Sequence, residues 1–133
     1  MFLTRECDYG IRVVRALADN EKRTVKTICE MENIPQQYAY KILKKLENAG
    51  IVKSSRGPDG GYHLVKSPTS FSIFDIITAV DENLFLNECL KEGQECSRNT
   101  EDAPCAVHFE LERIQNMLIE ELKCKNMLEI MDS

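Results

Sequence analysis

A cluster of turn-forming residues near the middle of the sequence constrains the fold most. Residues 57–61 read GPDGG and hold three of the six glycines in the chain. Short strand-like runs lie on both sides, over residues 51–56 and 62–66. Glycine and proline between two such runs predict a β-hairpin with a tight tip. Helical patterns occupy most of the remaining sequence, so we predict a mainly α fold with one small β-hairpin.

Three helices are predicted before the hairpin, over residues 5–19, 24–31 and 35–49. Thr4 and Thr24 stand where N-cap residues are preferred, and Pro35 suits the first position of a helix. Gly50 is a typical stop after the third helix. Two short helices joined by a tight turn predict a helix-turn-helix, and the hairpin that follows makes it a winged helix-turn-helix.

The third helix has a polar face with the residue types of a DNA-reading helix. Base edges in the major groove offer paired donors and acceptors that amide and basic side chains match. Gln37, Tyr40 and Lys41 lie near the start of this face, as a recognition helix requires. Nearby basic residues can bind phosphates, which fixes the position on DNA without reading sequence: Lys44, Lys45, Lys26, Lys53 and Arg23.

The hairpin supplies the other predicted DNA contacts. Arg56 stands at the base of the tip, where its side chain can enter the adjacent minor groove. Gly60, within the tip, is the second predicted wing contact. A polar helix face with lysines is by itself ordinary solvated surface. The combination of helix-turn-helix, glycine-rich hairpin and basic charge favours double-stranded DNA as the partner.

The charge of the chain is divided unequally between its two parts. The net charge is −5, but residues 1–70 carry 12 Lys and Arg against 8 Asp and Glu, whereas residues 71–133 carry 5 against 14. Such asymmetry indicates that one end meets a polyanion and the other does something else. We therefore divide the chain into a DNA-binding region, residues 1–70, and an extension of the same compact domain, residues 71–133.

The second region is predicted to contain a short helix, a loop and a long helix. The short helix begins at Ser70 or Ser72 and ends near residue 82, the loop covers residues 86–103, and Pro104 opens the last helix. Apolar residues recur along that helix in steps of four, three, four and four: Val107, Leu111, Ile114, Leu118 and Leu122. A seam of this length on a terminal helix favours a homodimer interface over packing on its own domain.

The expected compartment of the protein affects how its cysteines are interpreted. The chain starts without the pattern of a signal peptide and has no apolar run long enough to span a membrane, so we expect a cytoplasmic protein without membrane contact. In a reducing compartment, spaced cysteines indicate metal binding more often than disulfides.

Four residues of the second region have the spacing of a metal site. They are Cys89, Cys96, Cys105 and His108, which form the pattern C-x6-C-x8-C-x2-H. Three thiolates and an imidazole can hold zinc or an iron-sulfur cluster, and the spacing does not choose between them.

The rest of the sequence argues against an enzyme. It has no glycine-rich phosphate loop, no Ser/His/Asp set and no C-x-x-C pair, so a cysteine-based redox enzyme is the weaker alternative. Cys7, Cys29 and Cys124 lack motif spacing and are interpreted as small core residues. A zinc-stabilised DNA-binding protein without a sensing role is the other alternative.

Several segments together resemble the winged-helix regulators of the IscR and NsrR type. They are Leu3-Thr4 with Asp8-Tyr9, residues 34–38 (IPQQY), residues 46–52, residues 56–62 (RGPDGGY), residues 76–81 and the cysteine loop. The resemblance implies a homodimeric bacterial transcription factor that binds a near-palindromic operator, with its wings in the minor groove. By position it places the helix contacts on Gln37, Tyr40 and Lys41, and the wing contact on Arg56.

The resemblance also implies an iron-sulfur cluster that controls DNA affinity, because three cysteines in this loop are the cluster ligands of the family. The gaps between them are longer here than is usual in the family, so [2Fe–2S] and [4Fe–4S] both stay open. For the fourth ligand, His108 matches IscR-like members, whereas Asp8, supplied by the other subunit, matches NsrR-like members. We favour His108, since its spacing needs no inter-subunit geometry; a non-thiolate ligand suits a sensor of redox state, nitric oxide or cluster status.

Overall fold

A computed structural model describes residues 3–133, and Met1 and Phe2 lie outside the described residues. The elements are, in order, α1 (Arg5–Leu17), α2 (Val25–Glu32), α3 (Gln36–Asn48), β1 (Val52–Ser55), β2 (Gly61–Leu64), α4 (Ile73–Val80), a 3₁₀ helix (Glu88–Leu90), α5 (Ala106–Cys124) and α6 (Met127–Asp132). We call α1–α4 with the hairpin the head, and residues 86–124 the arm. No helix within residues 3–133 is long and apolar enough to cross a membrane.

Several helices of the head begin or end at residues that the sequence predicted. The Thr4 and Thr24 hydroxyls accept N–H groups from the first turns of α1 and α2. Ser72 forms a capping box with Asp75 at the start of α4. Gly50, with φ +76°, follows α3 and lets the chain turn towards β1. These helix boundaries are therefore determined by residues only a few positions apart in the sequence.

The hairpin is antiparallel, and its register runs from Val52 opposite Leu64 to Ser55 opposite Gly61. Its second strand also contacts the segment between α1 and α2, because Arg23 and Tyr62 exchange both backbone hydrogen bonds, at 2.9 and 2.7 Å. At Gly61 a Cβ atom would lie 2.5 Å from the Arg23 carbonyl oxygen, so only glycine permits this approach. The wing is therefore attached to the helices rather than projecting alone.

The core lies where α1, α3 and α4 meet. Its fully buried side chains come from all three helices and include Val13, Val14, Leu17, Ile42, Leu43, Leu46, Ile76 and Ile77. Gly10 permits close packing of α1 on α4, since a Cβ there would lie 3.1 Å from a Val80 methyl group. Although α4 follows residue 70 in the sequence, it packs in the same core as the helix-turn-helix.

The C-terminus differs from the expectation that the long helix is the last element of the chain. α5 ends at Cys124, and a separate helix, α6, begins at Met127. Met127 is 2% exposed and belongs to the core, while its N–H donates to the Phe71 carbonyl at 2.9 Å. The chain breaks here because Met127 packs into the head, which a continuous straight helix would prevent.

Smaller differences concern helix boundaries. α1 ends at Leu17, two residues before the predicted end. Pro35 is the N-cap residue of α3, with an extended ψ of 132°, and not its first helical residue. Cys105, one position after Pro104, is the N-cap residue of α5. The last of these places a thiol directly at a helix start.

Candidate nucleic-acid interface and cysteine loop

The outer face of α3 presents the polar side chains that the sequence assigned to DNA. Gln37, Tyr40, Lys41 and Lys44 are all exposed, while Ala39, Ile42, Leu43 and Leu46 on the other face are buried. The division follows from the spacing of apolar residues by three and four. Packing against α1 and α4 therefore fixes the rotation of α3, so that its polar residues face outwards.

The lysines of α3 differ in their surroundings. Lys41 Nζ lies 2.7 Å from Glu6 Oε1, and Lys45 Nζ lies 2.9 Å from Glu6 Oε2. Hydrogen bonds from Lys41 and Lys45 lower the pKa of the Glu6 carboxyl, and the carboxylate raises the pKa of Lys41. Lys44, by contrast, makes no ion pair with any part of the chain from Leu3 onwards. Glu6 was not predicted to belong to this surface, because it lies 35 positions from Lys41 and carries no local signal.

Arg56 is exposed beside a wing tip whose backbone requires glycine. Gly57 has φ +105°, and a Cβ at Gly60 would lie 2.7 Å from the Ser55 carbonyl oxygen. Both positions therefore require glycine. Arg56 itself is exposed and makes no ion pair within residues 3–133. Its guanidinium is free to bind an external anion.

Arg23, which the sequence analysis grouped with the phosphate contacts, is engaged inside the head. Its guanidinium pairs with both Asp19 carboxylate oxygens at 2.6 Å and donates to the Ala16 carbonyl at 2.9 Å. The hydrogen bonds from Arg23 lower the pKa of Asp19 to about 2. Arg23 thus binds a carbonyl group at the end of α1. Lys26 and Lys53, which were also predicted to contact phosphates, are exposed.

Within the cysteine loop, Asn99 connects two of the motif cysteines. The Asn99 N–H donates to the Cys96 carbonyl at 3.0 Å, and Asn99 Oδ1 accepts the Cys105 N–H at 2.9 Å. Cys105 Sγ in turn accepts the His108 N–H at 3.4 Å, as an N-cap residue does. Asn99 is therefore the organising residue of this segment, and only its place between the two cysteines hints at that role.

Cys89 precedes this segment in the sequence, and His108 follows it. Cys89 is in the 3₁₀ helix, where Asn87 Nδ2 lies 3.5 Å from its sulfur. His108 Nδ1 is buried and has no hydrogen-bond partner among the described residues, 3–133. All three motif cysteines are free and half-buried.

These four residues have the donor types of a metal site, but they are not drawn together. Within residues 3–133 no three His, Cys, Asp or Glu side chains lie close enough to hold one metal ion. The donor chemistry and the unpartnered His108 nitrogen fit a metal or cluster. Binding would require the loop to close around it.

The other candidate ligand and the remaining cysteines have distinct environments. Asp8 Oδ1 pairs with Arg12 Nε at 3.1 Å on the surface of α1. Cys7 is fully buried and Cys29 packs against the core, as predicted. Burial raises the pKa of the Cys29 thiol. Cys124 is exposed at the end of α5, so its interpretation as a core residue is wrong, because Leu122 rather than Cys124 is the side chain of this turn that packs against the core.

The apolar seam of α5 is largely uncovered. Val107 is 65% exposed, Ile114 36% and Leu118 39%, and Leu111 and Leu122 are half-buried. No residue of α5 is buried. Packing on its own domain, the alternative to dimerisation, therefore covers only part of the seam.

Comparison with known proteins identifies the family. A family model described as Rrf2, iron-dependent transcriptional regulator, matches residues 3–133. The chain belongs to the Rrf2 family. An Rrf2 chain of this kind is a DNA-binding transcriptional regulator and not an enzyme, which confirms both predictions.

Individual Rrf2 relatives agree with the resemblance stated above. NsrR of Geobacillus kaustophilus (strain HTA426) is 34% identical over 100 residues, which cover 72% of this chain and 68% of that protein. IscR of Vibrio vulnificus (strain YJ016) is 32% identical over 111 residues, covering 81% of this chain and 64% of that protein. Both are HTH-type transcriptional regulators.

A solved structure confirms the fold. CymR of B. subtilis, described as the global cysteine regulator, superposes with a TM-score of 0.79 over 99% of this chain and 97% of its own, at 24% identity. The predicted mainly α winged helix-turn-helix with a small hairpin is therefore confirmed for this Rrf2 protein.

Proposed function

We propose that this Rrf2 protein is a homodimeric regulator whose operator binding is controlled by an iron-sulfur cluster. The observation that supports it best is the set of three free, half-buried cysteines in one loop, together with His108, whose buried Nδ1 has no hydrogen-bond partner within residues 3–133. We assign DNA binding to residues 1–70, and cluster binding and dimerisation to residues 71–133. The protein would act in the cytoplasm, where bacterial DNA lies.

The DNA contacts follow from the exposed basic and amide side chains. Gln37, Tyr40 and Lys41 would read base edges in the major groove, since they are exposed near the start of α3. Lys44 would bind a phosphate, and Arg56, beside Gly60, would enter the minor groove. Two heads are needed for a near-palindromic operator, which makes dimerisation part of the same proposal.

The uncovered seam of α5 supports dimerisation. An apolar stripe of this length costs free energy when it stays in water, and a second copy would cover the same residues on both partners. Val107, Ile114 and Leu118 would lie at the centre of that interface, because they are the exposed members of the seam.

The cluster would be held by Cys89, Cys96, Cys105 and His108, with Asp8 of a second subunit as the alternative fourth ligand. Such a cluster, when bound, can change its oxidation state or ligation in response to redox conditions or nitric oxide. On the protein side, Cys105 and His108 stand at the start of α5, so closing the loop around them would order the beginning of the dimer helix.

The arm offers a route from the loop to the heads. The Leu86 N–H donates to Gln115 Oε1 at 2.8 Å, which attaches the start of the loop to the middle of α5. An ordered loop would hold α5 in one position relative to the head. A rigid pair of heads binds two half-sites more tightly than a loose pair, because the second contact is then intramolecular.

Anaerobic purification tests the cofactor and its ligands. We expect brown wild-type protein with stoichiometric iron and sulfide, loss of both in Cys105→Ala, and retention of both in Cys124→Ala, the matched control outside the motif. His108→Ala should lose more iron than Asp8→Ala. Colourless protein with stoichiometric zinc would support the zinc-stabilised alternative, and wild-type clusters in both single variants would refute our account of the fourth ligand.

Operator binding tests the switch. A DNA site is first selected from a random duplex library with the cluster-loaded protein. We expect the metal-free protein to bind that site with a different affinity, and equal affinities would contradict the switch. Arg56→Ala should cost about 1–3 kcal/mol at the selected site, whereas Lys44→Ala should weaken all sequences and reduce the salt slope by about 1.

A further inference from the structure

A single carboxylate from α1 faces the recognition helix. Glu6 binds Lys41 through Oε1, at 2.7 Å, and Lys45 through Oε2, at 2.9 Å. Each carboxylate oxygen is thus used by a different lysine. Since α1 and α3 also pack together in the core, this contact lies at the edge of a rigid helix pair.

The two lysines held by Glu6 differ in what else they do. Lys45 Nζ also donates to the Val80 carbonyl at 2.9 Å, so it ties α3 to the end of α4. Lys41 has Glu6 as its ion-pair partner, and its side chain is 57% exposed, against 35% for Lys45. An ammonium group has three N–H donors, so Lys41 bound to Glu6 keeps two for an external acceptor. Lys45 therefore fixes Glu6 in place, and Lys41 stands at the rim where DNA would approach.

Lys44 gives the comparison within the same helix. It is exposed like Lys41 but makes no ion pair within the described chain, residues 3–133. Its full positive charge is available to any phosphate. The two exposed lysines of the recognition helix therefore differ: the charge of Lys44 is free, whereas the charge of Lys41 is compensated and its position is fixed.

We propose that Glu6 is a specificity-determining residue of the DNA surface, which positions Lys41 while withholding its charge from non-specific DNA. The proposal rests on DNA binding by α3, as set out above. Non-specific binding depends on how many phosphates are neutralised, and a lysine paired with a carboxylate contributes little to it. Base contacts depend on placement, and a lysine held on one side contributes more. Glu6 therefore widens the gap between specific and non-specific affinity.

The first experiment compares Glu6→Gln with Glu30→Gln on a mixed-sequence duplex. Both variants raise the net charge equally, but Glu30 lies on the exposed face of α2 and makes no ion pair in residues 3–133. We expect Glu6→Gln to bind this duplex about two- to fivefold more tightly than Glu30→Gln, the range for releasing one exposed ion pair. Its salt slope should be steeper by about 0.9, the value for one added phosphate contact. Equal affinities and slopes for the two variants would overturn the proposal.

The second experiment asks whether Glu6 acts through Lys41. In a Lys41→Gln background, Glu6→Gln should no longer change the salt slope, because no ammonium is released at that position. A slope change of unchanged size would show that Glu6 acts by another route. Affinity for the selected operator should stay the same or fall in Glu6→Gln, so the ratio of specific to non-specific affinity should decrease.

A third comparison avoids changing Glu6, whose replacement can loosen α1 from α3. On the mixed-sequence duplex, Lys44→Gln should reduce the salt slope by about 0.9, and Lys41→Gln by less than half of that. Equal reductions would mean that Glu6 does not withhold the Lys41 charge. If the wild-type protein bound neither duplex, DNA binding itself would fail, which is a separate result from any difference between the variants.

Discussion

The head and the arm are stabilised in different ways. In the head, some ion pairs join separate elements, such as Arg15 with Glu32 across α1 and α2, and the core side chains are fully buried. In the arm, α5 has no buried residue, and its one ion pair, Arg113 with Glu110, lies within a single turn. The head is complete within one chain. A helix as exposed as α5 is only marginally stable alone, so the arm depends on what covers it.

The largest expected effect on the free energy of unfolding distinguishes core packing in the head from the apolar seam of α5. Leu43→Ala, at a fully buried position of α3, should lower the free energy of unfolding by about 2–5 kcal/mol at every protein concentration. Leu118→Ala, on the exposed seam, should change it by about 0.5 kcal/mol or less under dilute conditions and reduce self-association at high concentration. Urea unfolding and sedimentation at several concentrations measure both. Equal destabilisation at all concentrations would contradict the distinction between head and arm.

The next largest effect on stability concerns Met127, which connects the end of the arm to the head. Met127 anchors the segment after α5 in the head, and its burial contributes about 1.5–3 kcal/mol. Met127→Ala should therefore lower stability by a similar amount and increase hydrogen exchange at the end of α5 and in α6. Met131→Ala is the matched control, because Met131 lies on the same helix but is exposed. Similar losses in both variants would mean that α6 is held by something other than the Met127 side chain.

Local chemistry explains which parts of the fold could be predicted from sequence. Thr4, Thr24, Ser72 and Gly50 act through neighbours a few residues away, so their roles follow from short patterns. The start of α6 has such a pattern too: Asn126 Oδ1 accepts the Glu129 N–H at 2.9 Å, and Asn126 Nδ2 donates to Glu129 Oε1 at 3.0 Å. The apolar spacing that predicted the last helix ends at Leu122, so it did not indicate this second helix. The position of the break depends on Met127 reaching the core, which is a long-range contact.

The candidate site was predictable as a set of residues but not as a geometry. The composition of α3 identified its polar face, because helix periodicity separates that face from the core. The partner of Lys41 was not predictable, since Glu6 meets it only when α1 packs on α3. In the loop, cysteine spacing identified donors but not their arrangement, because an irregular segment has no fixed rise per residue. Asn99 was missed for the same reason.

The smallest effect compares two local ion pairs, Asp19 with Arg23 beside the wing and Glu110 with Arg113 in the arm. Asp19 has a pKa of about 2, well below its ordinary value, because Arg23 donates to it. A carboxyl whose pKa is lowered by folding stabilises the protein at pH values above its unfolded pKa of about 4, and this contribution is lost as the pH falls towards about 2. Asp19 is half exposed, so solvent screening limits the contribution to about 1 kcal/mol or less.

Asp19→Asn should therefore make stability less dependent on pH between about 4 and about 2, as measured by urea unfolding across that range. Glu110→Gln in the arm is the matched control, because hydrogen bonds from Arg113 also lower the pKa of Glu110 and this pair, like Asp19 with Arg23, joins residues close in sequence. The dependence should change more in Asp19→Asn, since Arg23 also binds the Ala16 carbonyl and exchanges backbone hydrogen bonds with the wing. If Glu110→Gln had the larger effect, the Asp19–Arg23 pair would be no more important to folding than the pair within α5.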